Sequence, residues 1–270
     1  ATEKLYGVKF VLMPDAPKYI DDLQVYDVVD AKTGDHVAVW MCDYFPRDTK
    51  RQGAWMEQMQ SAGLYGDGKT KRPIVYNVGN FTRPTAEAPS LLTVDEVETM
   101  FHEFGHALQG MLTTAPYKSL AGTNVDRDYV EMCSQINEHW AFEPEVLKTY
   151  AKHYKTGEVI PDDLVKKISD AGKFNQGFTT TELAGAALLD MMYGQQAEVA
   201  DPAAFEAEVA KKIGMPKEIT FRYRSPYFKH IFGDDGYASG YYTYTWAQVL
   251  EADAWELFEE KGIFDPKTAA

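Results

Sequence analysis

Cysteine is scarce. The 270 residues contain two, Cys42 and Cys133, each in an apolar neighbourhood and neither with a CxxC partner. That excludes a disulfide framework and leaves both as small buried hydrophobes. Basic residues are also in deficit, 27 Lys and Arg against 41 Asp and Glu, for a formal net charge of -14. Nucleic-acid binding needs basic faces, so that class is set aside, and the acidic balance reads as a solvated surface that keeps the chain soluble. No run of about 18 apolar residues is present, which excludes a membrane-spanning helix. Residues 1–20, with Lys4, Lys9 and Asp15, carry no signal-peptide pattern. The cytoplasm is the expected compartment, although a leader removed upstream would leave no trace. Repeats and low-complexity linkers are lacking as well.

What is present is the composition of a globular protein, 45% hydrophobic and 25% charged, long enough for one large domain or two small ones. The pattern predicts an α+β fold, mainly helical, with a β-rich part over 1–92 and a helical part over 93–270. Leu5–Met13, Leu23–Asp30, His36–Phe45 and Pro73–Val78 read as strands of a small antiparallel sheet, with a turn at Lys32-Thr33-Gly34-Asp35. Ala54–Gln60 reads as a short helix and Gly79–Pro89 as a loop. Thr93-Val94-Asp95-Glu96 fits a capping box that opens a helix to about Met111. Helical patterns follow over about 128–141, 144–155, 161–171, 180–196, 202–213 and 240–260.

The first of these helices carries Phe101-His102-Glu103-Phe104-Gly105-His106, an HExxH motif. Positions i and i+4 share a helix face, so His102 and His106 offer two imidazole nitrogens to one ion. Glu103, about 100° further round, lies beside that ion without ligating it, within reach of a water. Met100, Phe101, Phe104, Ala107 and Leu108 flank the motif, so the helix is largely buried, and a buried His-Glu-His cluster without a metal is costly. A catalytic zinc needs a third protein ligand. Position 112 is Leu, so the short HExxHxxGxxH spacing is excluded, and a carboxylate on a later helix is expected. Asp126, Asp128, Glu131 and Glu138 are the candidates, and spacing alone divides the choice between Glu131 and Glu138. Glu98, one turn before His102, and Asp128, one turn before Glu131, are candidates to support the ligands by hydrogen bonding.

Residues 94–140 resemble the thimet oligopeptidase and peptidyl-dipeptidase family of zinc peptidases. The matching runs are Asp95 to Ala107, Gly122-Thr123, Arg127-Asp128-Tyr129-Val130-Glu131 and Ser134 to Trp140. The Asn137-Glu138-His139-Trp140 ending resembles the bacterial peptidyl-dipeptidase branch most. The resemblance implies a zincin-like core of the gluzincin type, one zinc ion and Glu131 as the third ligand. One departure is Cys133, where the family usually has Pro. Residues two apart on a helix point to different faces, so Cys133 is not expected to join the ligands.

The resemblance extends to a tyrosine-rich segment over 222–246 and, through Asp43-Tyr44-Phe45-Pro46-Arg47, Gly53-Ala54-Trp55-Met56 and Val75-Tyr76-Asn77-Val78, to the N-terminal part. It implies that His230, Tyr237 and Tyr244 take part in catalysis and that Tyr241 contacts substrate. Spacing of three to four puts Tyr237, Tyr241 and Tyr244 on one side of a helix, where an aromatic core stripe is the plain alternative. A phenol hydroxyl beside zinc is also a suitable donor to the oxyanion of peptide hydrolysis. Asp234 and Asp235 depart from the family's glycine-dominated loop. By analogy with zincins, Asn77–Gly79 is the substrate-facing end of a strand to which an extended peptide adds, and Arg224, like Arg222, is a candidate for a terminal carboxylate.

The implied activity is zinc-dependent hydrolysis of short peptides with release of C-terminal dipeptides. The alternatives are an endo-acting oligopeptidase and a metal-binding, non-catalytic peptide-binding fragment. Whole members of the family are more than twice this long, so the chain is expected to be a catalytic core whose partners are short peptides and the missing helical part of the same protein.

Overall fold

A computed structural model describes residues 1–269. Two compact units are formed. The first takes residues 1–125, 132–161 and the chain from Glu251 onward, and the second takes 126–131 and 162–250.

In the first unit the chain opens with a short helix, α1 (Thr2–Tyr6), ended by Gly7 in the left-handed region at φ +66. The strands are β1 (Val8–Leu12), β2 (Gln24–Asp30), β3 (His36–Asp43), β4 (Trp55–Gln60), β5 (Gly63–Leu64), β6 (Thr70–Lys71) and β7 (Ile74–Val78). The hairpin between β2 and β3 is tied by Asp30, whose Oδ1 accepts from Lys32 N and Thr33 N at 2.8 Å each. Five strands form one sheet in the order β1-β2-β3-β7-β4, and β5 pairs with β6 apart from it. The sheet is mixed, because β3 and β7 run parallel while the other pairs are antiparallel.

Three expectations change here. The predicted strand from Leu5 begins only after Gly7. The predicted antiparallel sheet has one parallel pair. The predicted helix at Ala54–Gln60 is strand β4: Met and Gln are good helix formers, but pairing with β7, from Trp55 opposite Val78 to Gln60 opposite Ile74, decides the conformation.

Helix α2 (Val94–Leu112) is unbroken. Its capping box is complete, with Glu96 N donating to Thr93 Oγ1 at 3.2 Å and Thr93 N donating to Glu96 Oε2 at 2.9 Å. It lies on the sheet through Ala107, Leu108 and Met111, which share a core with Val8, Val28, Ala38 and Val75. A second anchor is polar. Asn77 of β7, 1% exposed, donates from Nδ2 to the Glu103 carbonyl at 2.7 Å and accepts from Trp40 Nε1 at 2.7 Å.

Helix α3 (Met132–Phe142) starts four residues later than its pattern predicted; the 3-10 turn Arg127–Tyr129 and two turn residues precede it. It packs on α2 at Gly105, where a Cβ would meet Cys133 O at 2.5 Å and Ser134 Cα at 2.7 Å. Asn137 Nδ2 donates to the Phe101 carbonyl at 2.7 Å. Helix α4 (Pro144–Tyr150) follows, shorter than predicted.

The second unit contains α5 (Asp162–Gly172), α6 (Gln176–Tyr193), α7 (Pro202–Lys212), α8 (Lys229–Phe232) and the start of α9 (Thr243–Lys261). Its cores are Leu189, Val209 and Phe221, and Ala186, Ala187, Phe228, Ile231 and Tyr241. The later part of α9 lies in the first unit, where Trp255 and Phe258 pack with Trp140; α10 (Pro266–Ala269) closes the described chain.

Gly105→Ala tests the helix contact. The new methyl meets backbone, which cannot rotate away, so the two helices must separate. Overpacking of this kind costs about 1–3 kcal/mol, and thermal denaturation of the metal-free protein reads it as a lower Tm. An unchanged Tm would mean that α2 and α3 are not in close contact there.

Candidate metal centre

Helix α2 presents His102 and His106 one turn apart, their rings 5.0 Å centre to centre and nearly perpendicular. Glu131 is the residue immediately before α3. His102, His106 and Glu131 each offer one ligand atom, and these atoms all lie within 4.8 Å of one another. Glu131 is 1% exposed and Glu103 and His106 are both 8% exposed.

The second nitrogen of His102 is engaged. Its Nδ1 lies 2.6 Å from Glu138 Oε1, a contact that favours the tautomer with the proton on Nδ1 and turns Nε2 into the acceptor nitrogen of the ring. Glu98 feels the charge of His102, and its own carboxyl is pushed above the usual range by desolvation, then by Glu138 and Asp95. Asp128 is half-buried in the 3-10 turn.

Glu131 also receives a tyrosine. Tyr237 donates its hydroxyl to Glu131 Oε1 at 2.5 Å. Burial, and after it the Glu131 charge, raises the Tyr237 pKa, and the same causes raise that of Tyr244, so both remain hydroxyls at neutral pH. The two rings are stacked, 5.7 Å apart and 4° from parallel. His230 packs edge-on at 5.8 Å from Tyr237 and 6.2 Å from Tyr244. The guanidinium of Arg127 sits 4.6 Å from the Tyr237 ring centre.

The sequence matches the description "Peptidase family M3" over residues 1–270. The chain belongs to peptidase family M3. It is 44% identical over 264 residues to a dipeptidyl carboxypeptidase of Escherichia coli strain K12, covering 96% of this chain and 38% of that protein. It is 34% identical over 273 residues to the oligopeptidase A of the same strain, covering 98% and 39%. With a "probable cytosolic oligopeptidase A" of Arabidopsis thaliana it shares 37% over 276 residues, covering 97% and 38%. The chain thus spans about two-fifths of the length of these curated relatives.

Several residues expected to face substrate in this M3 chain do other work. Asn77 is enclosed, with both ends of its amide spent on Trp40 and the α2 backbone. Gly79 is buried under Phe81, whose ring a Cβ would meet at 2.7 Å. Strand β7 cannot accept an added peptide strand, because β3 and β4 occupy both of its edges; the open edges of the sheet belong to β1 and β4. Tyr241, 3% exposed, is packed against Phe228, Tyr223 and Tyr244. Only Tyr244 of the three tyrosines lies on α9; Tyr237 and Tyr241 reach it from the turns before it. Arg224 is paired through Nε with buried Glu206, and Arg222 contacts Glu182 at 3.2 Å. Asp234 folds back to accept from Gly236 N at 2.9 Å. Cys133 is not in the ligand group, and burial raises its thiol pKa.

Sequence reasoning missed two residues. Glu138, weighed as a ligand on spacing, holds His102; the neighbouring pair Asn137 and Phe101 shows the same register, a signal that needs the helix pairing to be read. Arg127 stands out in the sequence only as part of the run ending in Glu131.

Glu138→Gln tests the support given to His102. A neutral amide no longer fixes the tautomer by charge, and metal affinity is expected to fall about 10–100-fold, read by competition against a chelator. Unchanged affinity would show that Glu138 does not serve the ligand.

Proposed function

We propose that this chain forms the catalytic centre of a zinc metallopeptidase that cleaves short peptides and releases dipeptides from their C-termini. The observation that carries the reading is the convergence of His102, His106 and Glu131. Two imidazole nitrogens and one carboxylate oxygen are the donor set that suits zinc with one coordination position left open, and His102 already has its other nitrogen occupied. Bound there, one zinc ion would supply Lewis acidity, making water more acidic and polarising a carbonyl.

The remaining chemistry belongs to the chain. Glu103 follows His102 on α2 and is 8% exposed. It takes the proton of the attacking water and passes it to the leaving amine. Tyr237 or Tyr244 donates a hydroxyl to the oxyanion; Tyr237 is already placed against Glu131. His230 packs on both rings and sets their positions. The compartment we propose is the cytoplasm; no helix among the described residues is long and apolar enough to cross a membrane.

Release of dipeptides requires recognition of a terminal carboxylate. Arg127 is the best placed cation: it is exposed, stacked on Tyr237, and makes no ion pair among the described residues. The 44% identity to a dipeptidyl carboxypeptidase supports this reading. The second reading, an endo-acting oligopeptidase, is favoured by the likeness to oligopeptidase A. Digestion of one peptide with a free and with an amidated C-terminus separates them. Exopeptidase action predicts a dipeptide from the free form and little cleavage of the amide, whereas equal cleavage of both would choose the oligopeptidase.

Four substitutions test the mechanism. Glu103→Gln is expected to keep the metal and lose turnover. Glu131→Gln is expected to lose metal, because an amide replaces an anionic ligand. Tyr237→Phe or Tyr244→Phe, whichever removes the oxyanion donor, is expected to lower kcat by roughly 10²–10³-fold with little change in KM. Metal content and kinetics on the same proteins check all four. Full metal in Glu131→Gln would place the third ligand elsewhere, and wild-type kcat in both Tyr237→Phe and Tyr244→Phe would reduce the tyrosines to packing.

A further inference from the structure

Asp190 on α6 is 1% exposed and lies outside the metal centre. Its two oxygens are used separately: Oδ1 accepts from Ser239 N at 2.8 Å and Oδ2 from Tyr241 N at 2.9 Å. Between them, Gly240 N donates to the Tyr237 carbonyl at 2.8 Å. One buried carboxylate therefore clamps a turn whose first residue is Tyr237.

The turn would not hold this shape unaided. Ser239 has a left-handed backbone at φ +54, which L-residues other than Asn and Asp rarely adopt. Gly194, one helical turn beyond Asp190, gives it room: a Cβ there would lie 2.0 Å from Ser239 Oγ. On its outer side the turn lacks tight packing. Ala238 and Ser239, with Asp190, Ile231 and Phe232, line an open cavity of about 550 Å³. The side chain at the start of the turn is the one that delivers a hydroxyl to Glu131 at 2.5 Å.

We propose that Asp190 is a positioning residue for Tyr237: it clamps the turn over 237–241 and so holds the Tyr237 hydroxyl beside Glu131. Asp190 touches no reacting atom and acts through the tyrosine. The inference rests on the reading of Tyr237 as an oxyanion donor.

The test is a double-mutant cycle on kcat with Asp190→Asn, Tyr237→Phe and both together. Asn has the same shape, but it presents one acceptor where two N–H groups need one each. Displacing a hydroxyl by about 1 Å costs on the order of 10²-fold, so Asp190→Asn is expected to lower kcat about 10- to 100-fold while KM and metal content stay near wild type. The double variant is expected to be no slower than Tyr237→Phe alone, because the clamp has nothing left to position. Wild-type kcat in Asp190→Asn, or multiplicative losses in the double variant, would overturn the inference while leaving the Tyr237 reading intact. A silent Tyr237→Phe would overturn that reading and the inference with it. Asp190→Glu keeps the charge and lengthens the arm by one methylene. If Asp190→Asn does not fold, the same cycle run with Asp190→Glu decides by the same criteria.

Discussion

Everything at the centre depends on how closely α3 approaches α2. With no Cβ on Gly105, backbone of α3 comes within the distance a methyl group would occupy. That contact is flanked by two side-chain to backbone hydrogen bonds, Asn137 to the Phe101 carbonyl and Asn77 to the Glu103 carbonyl. Helix, helix and sheet are thus pinned at successive positions along the HExxH segment. Buried polar anchors of this kind fix register more than they add stability, because a shift would leave amides and carbonyls unsatisfied in the interior. Glu138 meets His102 because the register is held.

The centre is also an electrostatic arrangement. Glu103 and Glu131 are buried and Glu138 adjoins His102. Gathering carboxylates around two imidazoles away from water is costly, and a divalent cation is the counter-charge that this donor set suits. Tyrosine, and not a further acid, approaches Glu131 from the segment over 237–244. A phenol adds a hydrogen-bond donor without adding charge, and burial keeps it protonated.

Local signals carried the parts of this that are local. The capping box at Thr93 and Glu96 and the spacing of His102, Glu103 and His106 were legible, because a helix writes its period and its ends into a short stretch of sequence. Glu131 was one of two candidates on spacing, and the family resemblance separated it from Glu138. Non-local pairing was not legible. Trp55–Gln60 has helix-forming residues and becomes a strand because β7 is its neighbour. Asn77 reads as an exposed strand end and is enclosed because β3 and β4 flank β7. Arg224 reads as a free cation and is held by Glu206, 18 residues earlier in the chain. In each case the deciding partner is distant in sequence, where periodicity carries no information.

In the proposed centre, two histidines of α2 and the carboxylate preceding α3 hold one zinc ion. X-ray absorption at the zinc edge of the purified protein tests it most directly. One equivalent of zinc with nitrogen and oxygen neighbours only, at about 2.0–2.2 Å, is expected in the wild type, and loss of the zinc is expected in Glu131→Gln. A sulfur neighbour near about 2.3 Å would bring in a cysteine and contradict the ligand set. Full zinc with an unchanged shell in Glu131→Gln would contradict it equally.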